Sequence, residues 1–264
     1  MIAGVTPQAW LEPLAALARQ AGDVVMAVYA TDFAVRGKGD ASPVTEADER
    51  AEAVILAGLA LLAPGIPVVA EESVAAGRVP DVSGGRFWLV DPLDGTREFI
   101  NRNGEFTVNI ALIDGGAPVL GIVLAPAVGG PFGRLFAGAS GHGAWVDDAQ
   151  GRRAIRCRAA PAEGLTVLAS RSHGDAAALD AFLAGRRVAH LANAGSSLKL
   201  CLLAEGAADL YPRHGRTMEW DIAAGHAVLA AAGGQVWQID GRAPLAYGKP
   251  GFENPHFYAA GLLV

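Results

Sequence analysis

Apolar residues recur at helical spacing from the start of the chain. Trp10, Leu14, Leu17, Ala21 and the Val24/Val25 pair share one face, which predicts a helix over Pro7–Ala30. A stretch rich in Gly, Asp, Ser and Pro follows from Arg36 to Pro43 and reads as a loop. Thr45 then stands as the N-cap of a second helix. Glu46, Asp48 and Glu49 fill its first turn, where the helix dipole favours acids, and it ends near Pro64. Pro67–Glu71 and Arg86–Val90 read as short strands, each running straight into carboxylates. Phe106, Val108, Ile110 and Leu112 alternate within Glu105–Ile113, and Gly115-Gly116 turns the chain into a strand at Val119–Leu124.

Beyond Gly141 the pattern alternates. It predicts a strand at Leu165–Ser170, a helix at Asp175–Ala184, a strand at Val188–Leu191, a helix at Ser196–Gly206 and a short strand at Asp209–Tyr211. A last long helix runs from about Glu219 to Ala232 and stops at Gly233-Gly234, as glycines stop helices. Helix pairs, an antiparallel meander and later alternation predict a layered α+β fold rather than one doubly wound sheet. At roughly 150 residues per domain, 264 residues make one large unit or two tightly packed halves. The expected division is 1–150 and 151–264, with the boundary near residues 140–160.

Composition narrows the function. A chain that is 52% hydrophobic has ample core and is not disordered. Its longest clean apolar run, Val54–Ala63, is half of the ~20 residues a membrane span needs. Met1-Ile2-Ala3-Gly4-Val5 lacks the basic start and cleavage pattern of a signal peptide. Cys157 and Cys201 lie far apart, so no disulfide framework is expected. These features predict a cytoplasmic protein, with peripheral association at the inner membrane left open, as is the choice between monomer and homodimer. A pI of about 5.5 without a basic stripe argues against a nucleic-acid partner. Lys38, Lys199 and Lys249 are the only lysines among 21 basic residues. Either chance or a need for a compact ammonium retained them.

The candidate chemistry sits where strands end. Glu71-Glu72 closes Val68-Val69-Ala70, and Asp91 and Asp94 follow Phe87-Trp88-Leu89-Val90 in the run Asp91-Pro92-Leu93-Asp94-Gly95-Thr96. A carboxylate at a strand end is held rigidly by the sheet yet can face a cleft. Asp91 and Asp94 can converge around Pro92 and Gly95 while the Leu93 carbonyl turns inward. Oxygen-only ligands suit Mg²⁺, a hard cation that keeps waters and takes carboxylates plus phosphate. Gly95 and Thr96 offer backbone N–H groups to an anion, with a helix start expected at Arg97. Standing alone, an Asp-Gly pair would be an ordinary turn. Asp221 lies in the first turn of the last helix, where an acid also serves simple dipole compensation.

Other signals lead nowhere. Gly37-Lys38 does not make a phosphate loop, because Asp32 stands where its first glycine belongs and Gly39 where Ser or Thr belongs. There is no Gly-x-Ser-x-Gly elbow. The six histidines show no paired metal spacing, and His226 reads as a packed core residue.

Asp91-Pro92-Leu93-Asp94-Gly95-Thr96 and Trp220-Asp221-Ile222-Ala223-Ala224-Gly225 resemble the two signature motifs of the inositol monophosphatase superfamily, lithium-sensitive Mg²⁺-dependent phosphatases. The likeness runs from Lys38 through Val44-Thr45-Glu46-Ala47-Asp48 and Glu71-Glu72-Ser73 to Asn254-Pro255. Within that superfamily, residues 98–110, Gly195-Ser196-Ser197-Leu198-Lys199 and Ala208-Asp209-Leu210-Tyr211-Pro212-Arg213 look most like bacterial 3′(2′),5′-bisphosphate nucleotidases. The resemblance implies removal of the 3′-phosphate of adenosine 3′,5′-bisphosphate, a small-molecule nucleotide partner, and a layered α-β-α-β-α sandwich. It implies Glu71, Asp91, the Leu93 carbonyl, Asp94 and Asp221 as ligands of two or three Mg²⁺ ions, with Asp91 bridging two of them. Glu71, Asp48 and Thr96 would be catalytic, Asp48 and Thr96 orienting the attacking water. Gly95 and Thr96 would hold the scissile phosphate, and Ser196, Lys199, Arg213 and Asp221 would contact the substrate. Three positions depart from the pattern. Arg216 and Met218 stand where Pro and a small residue are expected, and Arg97 stands where Lys is common. Two alternatives remain on the same residues: an inositol or sugar monophosphate phosphatase, and a non-catalytic metal- or anion-binding relative. The latter would be signalled by a replaced ligand, and none is replaced.

Overall fold

The structure, a computed structural model, describes residues 6–37, 43–170 and 176–262. Lys38, Gly39 and the expected helix start at Asp175 lie outside them. The first helix is preceded by a 3-10 turn, Pro7–Trp10, and runs as α1 over Leu11–Tyr29. The expected loop contains a small antiparallel ladder of β1 (Arg36–Gly37) and β2 (Pro43–Val44). Thereafter come α2 (Glu46–Leu62), β3 (Val68–Ala70), α3 (Glu71–Ala75), β4 (Arg86–Asp94) and α4 (Thr96–Ile100), which starts one residue before Arg97. A meander follows: β5 (Thr107–Asp114), β6 (Ala117–Ala125), β7 (Arg134–Ala139), β8 (Gly143–Asp148) and β9 (Gly151–Ile155). The chain continues through β10 (Leu165–Ser170), α5 (Ala176–Leu183), β11 (Val188–Ala194), α6 (Leu198–Ala204) and β12 (Leu210–Arg213). It closes with α7 (Glu219–Ala231), β13 (Gln235–Gln238) and β14 (Phe257–Ala260).

Two large sheets result. Strands β3 to β9 lie in sequence order in a seven-stranded sheet, antiparallel apart from the parallel pair β3–β4. The second has the order β11-β10-β12-β14-β13, in which β10, β11 and β12 are mutually parallel. Both faces of the larger sheet are covered, so its strands read as apolar runs rather than simple alternation. Trp88 and Val90 of β4 pack with α1 and α2, while Phe87 and Leu89 enter the core shared with α6, α7 and the smaller sheet. On the outer side of that sheet Phe182 and Leu183 of α5 pack on Val167, Leu210 and Ala260. The order of layers is α-β-α-β-α.

Strands β7 to β9, β13 and β14 were not announced by the pattern. β7 carries Ala137-Gly138-Ala139, small because a Cβ at Gly138 would lie 2.9 Å from Val228 of α7. Arg152 and Arg153 of β9 are exposed at the sheet edge, where Arg153 pairs with Asp148 at 2.7 Å. Small residues in β7 and arginines in β9 leave each with only one or two strand-marking residues, Leu135 and Phe136 in the first and Ile155 in the second.

The run Ala223-Ala224-Gly225 lets α7 lie against the sheet. A Cβ added at Gly121 of β6 would come 2.2 Å from the Ala224 carbonyl oxygen. Gly121→Ala should therefore cost at least the ~1–3 kcal/mol of an overpacked core. A denaturation midpoint equal to wild type would show that α7 is not seated this closely.

Candidate active site

The parallel strands of both sheets aim their carboxyl ends at one cleft, the usual place for a ligand in α/β sheets. From the larger sheet come Glu71, just after β3, and Asp91 and Asp94 at the end of β4. From the smaller come Ser170 ending β10, Gly195 and Ser196 after β11, and Arg213 ending β12. Asp221 arrives from the first turn of α7. The cleft has a volume of about 240 Å³ and is lined by Glu71, Asp94, Gly95, Thr96, Ser196, Lys199, Arg213 and Asp221 among others. Asp91 (2% exposed) and Asp48 (1%) lie beneath it.

A bulge brings Asp91 and Asp94 to the same side. Residues three apart on a regular strand face opposite ways. Here Asp91 opposes Asn109 and Asp94 opposes Thr107, so three steps on β4 match two on β5. The extra residue re-aims the second carboxylate. The chain must then turn sharply at Gly95, whose φ of 88° is left-handed and whose absent Cβ would stand 3.3 Å from Glu105 O, Glu98 Oε2 and Ser196 Cβ.

One oxygen of each of four aspartates is tied to a backbone N–H. Asp91 Oδ1 accepts from Leu93 N at 3.0 Å, Asp94 Oδ2 from Ser197 N at 2.6 Å, and Asp221 Oδ2 from Met218 N at 2.9 Å. Asp48 Oδ2 accepts from Thr45 N and from Thr45 Oγ1, both at 2.8 Å, while its Oδ1 receives the Thr96 hydroxyl at 3.4 Å. Asp48 and Asp221 thus close the starts of α2 and α7 as capping acids and present their carboxylates to the site together. The Thr96 hydroxyl also reaches the Leu93 carbonyl, at 3.3 Å.

The charges repel. Burial, and after it Glu71, Asp94 and Asp221, pushes the Asp91 carboxyl well above the carboxylate range. Burial, Asp94 and Glu71 do the same to Asp221. Asp94 rises to about 6, burial outweighing the Lys199 ammonium and the Ser197 N–H. A carboxyl whose native pKa exceeds its unfolded value binds more protons in the native state. Stability from these groups therefore falls as pH rises above ~4, for Asp94 through about 6, unless a cation is present. The donor set is oxygen only, as a hard cation requires. Among the described residues no three His, Cys, Asp or Glu side chains are gathered closely enough to cage an ion as they stand. Mg²⁺ does not need such a cage, because it keeps several waters.

Lys199 lines the cleft, as a substrate contact must, and is also engaged within the fold. Its ammonium is buried and donates to Ser196 O at 2.9 Å and Ala194 O at 3.1 Å, and burial pulls its pKa down to about 8. It holds a loop in which Ser196, with φ 46°, adopts a left-handed conformation unusual for a residue with a side chain. Arg213 donates to the Arg216 carbonyl at 3.1 Å. His226 is buried and meets the Tyr247 hydroxyl through Nδ1 at 2.8 Å.

Sequence reading missed Ser197. A serine before a helix signals a cap, but its side chain makes no capping bond to α6. It donates to the Asp221 carbonyl, accepts from Asn109 Nδ2 at 3.1 Å, and its N–H holds Asp94. Ser197 joins the segments that carry Asp94 and Asp221. Glu219 was missed as well. It is fully buried and accepts from Gly248 N at 2.8 Å, Lys249 N at 2.9 Å and Lys249 Nζ at 2.6 Å. Lys249 reaches on to Asn254 Oδ1 at 3.2 Å, and Asn254 Nδ2 donates to Met218 O at 2.7 Å.

The fold and this convergence of carboxylates define a class: residues 7–262 match the inositol monophosphatase family, and the chain belongs to it. Among curated relatives, the 3′(2′),5′-bisphosphate nucleotidase CysQ of Escherichia coli K12 is 48% identical over 250 residues, 94% of this chain and 98% of that protein. Among solved structures, CysQ from Bacteroides thetaiotaomicron superposes with a TM-score of 0.78 at 35% identity, covering 95% of this chain and 97% of that one. SuhB from Mycobacterium tuberculosis gives 0.73 at 28%, covering 97% and 92%.

Lys249→Ala should leave the Glu219 carboxylate buried without its cation and cost on the order of 3 kcal/mol. The double variant Glu219→Gln, Lys249→Met should recover much of that loss in chemical denaturation. If the double variant is no more stable than the single, the Glu219–Lys249 pair is not what holds the start of α7.

Proposed function

We propose that the chain is a Mg²⁺-dependent 3′(2′),5′-bisphosphate nucleotidase that removes the 3′-phosphate of adenosine 3′,5′-bisphosphate and related nucleotides. The observation that carries this reading is the division of one cleft into a carboxylate floor (Glu71, Asp91, Asp94 and Asp221) and a wall bearing Arg213 and Lys199. A ligand with one phosphate uses only the floor; one with two anionic groups uses both. The relative in Escherichia coli carries the same activity in its name and supports the assignment.

Glu71, Asp91, Asp94, Asp221 and the Leu93 carbonyl would hold the Mg²⁺ ions, and Asp91, buried at 2% exposure, would be shared between them. When bound, the metal neutralises charge and lowers the pKa of a water that attacks the phosphorus in line. Thr96 Oγ1, which donates to Asp48 Oδ1, would accept a hydrogen bond from that water and so orient it, with the other Asp48 oxygen fixed by Thr45. Glu71, which lines the cleft just after β3, would assist that water as a catalytic residue. The N–H groups of Gly95 and Thr96 orient the scissile phosphate, and the rigid loop supplies placement without reorganisation. Arg213 takes the second phosphate, a charge-assisted contact. Lys199 holds the Ser196 loop and adds positive charge beside it. The 1–150 half supplies most of the metal ligands and the 151–264 half Asp221 and the nucleotide contacts, the two working as one compact unit in the cytoplasm, as monomer or homodimer. Among the described residues no helix is long and apolar enough to cross a membrane.

Phosphate release from adenosine 3′,5′-bisphosphate should exceed that from inositol 1-phosphate and fructose 1,6-bisphosphate, and should vanish on chelation and return with Mg²⁺. A preference for inositol 1-phosphate would make the chain an inositol phosphatase on the same scaffold.

Asp91→Asn should lower kcat by several orders of magnitude, because one anion would serve two cations. The metal-free variant should melt no lower than metal-free wild type, since a repelling charge is gone. Near-native turnover would remove Asp91 from the bridging position.

A further inference from the structure

The rim of the cleft carries an ion pair that the mechanism leaves unused. Arg216 lines the cleft, and its Nε stands 3.3 Å from Glu253 Oε2, with both side chains 58% exposed. A pair this exposed contributes little and exchanges readily for a stronger partner. The backbones beneath it are fixed. The Arg216 carbonyl is held by the Arg213 guanidinium at 3.1 Å, Asn254 N donates to Thr217 O at 2.9 Å, and Met218 and Glu253 form an isolated antiparallel bridge. Two exposed, opposite charges therefore sit on a hydrogen-bonded base at the mouth, three residues from the buried cation of the wall.

We propose that Arg216 is a specificity-determining residue, which leaves Glu253 for the non-reacting phosphate of a bisphosphate substrate. This rests on the bisphosphate nucleotidase reading above and names the device that makes the second phosphate count. Arg213 holds that phosphate from the inner side and Arg216 from the outer, the planar guanidinium suiting a bidentate grip on phosphate oxygens. Glu253 is the internal competitor. A phosphate dianion displaces a carboxylate monoanion from Arg216, whereas a hydroxyl at the same place does not, so ligands with a single phosphate gain nothing from the rim. The position is one where the resemblance leads to an expectation of Pro, which has no charge to offer.

The test is steady-state phosphate release from adenosine 3′,5′-bisphosphate and from adenosine 3′-monophosphate. Wild type, Arg216→Gln, Glu253→Gln and the double variant are compared. Arg216→Gln should raise KM for the bisphosphate about tenfold with kcat little changed, and should affect the monophosphate far less. Glu253→Gln should act in the opposite direction and lower KM for the bisphosphate about threefold, an effect absent from the double variant. A clamp that merely shapes the rim would make both single variants worse. Wild type preferring the bisphosphate, with that preference intact in Arg216→Gln, overturns the exchange alone. Wild type without such a preference overturns both the exchange and the nucleotidase reading.

Discussion

Repulsion among Glu71, Asp91, Asp94 and Asp221, held close together in and beneath one cleft, is the constraint on which the rest of the structure depends. Carboxylates left to themselves would swing apart or take up protons. The fold prevents the first by fixing one oxygen of Asp91, Asp94 and Asp221 to a backbone N–H. It allows the second: burial first and repulsion after it hold Asp91, Asp94 and Asp221 above their ordinary pKa values. Those tethers come from ordinary local devices: a turn after Asp91, the loop before α6, and the capping position of α7. The bulge in β4 and the left-handed Gly95 are equally local. What is not local is their meeting, which needs the carboxyl ends of strands from two sheets and a helix seated closely enough to bring Asp221 in.

That seating explains features remote from the chemistry. Gly121 removes a side chain so that α7 can approach. The pair of buried Glu219 with half-buried Lys249, and Asn254, fasten the residues just before Asp221. Ser197 closes the circle, touching the Asp94 carboxylate with its N–H and the Asp221 carbonyl with its hydroxyl. A cleft with acid below and Arg213 and Lys199 beside it is then electrostatically split, and the bisphosphate reading follows from that split.

Much of this was legible in the sequence because it is local. Thr45 with Asp48, the run from Phe87 to Thr96 and the small residues after Trp220 each carry a physical signature in a few neighbouring positions. The pattern of helix pairs, meander and later alternation reached a layered α+β fold, while the five-layer order came only as what the family resemblance implied. Strands β7 to β9 were hidden because their residues are chosen for what faces them: Gly138 for α7, Arg152 and Arg153 for solvent. Ser197 and Glu219 were hidden for a related reason. A serine ahead of a helix and an acid in a first turn each have a bland local explanation, and their partners lie 24 to 103 residues away. Lys199 was expected to contact the substrate, and its bonds to the Ser196 and Ala194 carbonyls could not be foreseen from spacing.

The most direct measurement is the melting temperature with and without millimolar Mg²⁺ across pH 5 to 8. Protons and cations relieve the same repulsion, so the stabilisation by Mg²⁺ should grow as pH rises through about 6 and be largely lost in Asp91→Asn. A Mg²⁺ effect that is absent, or independent of pH and of Asp91, would contradict the account.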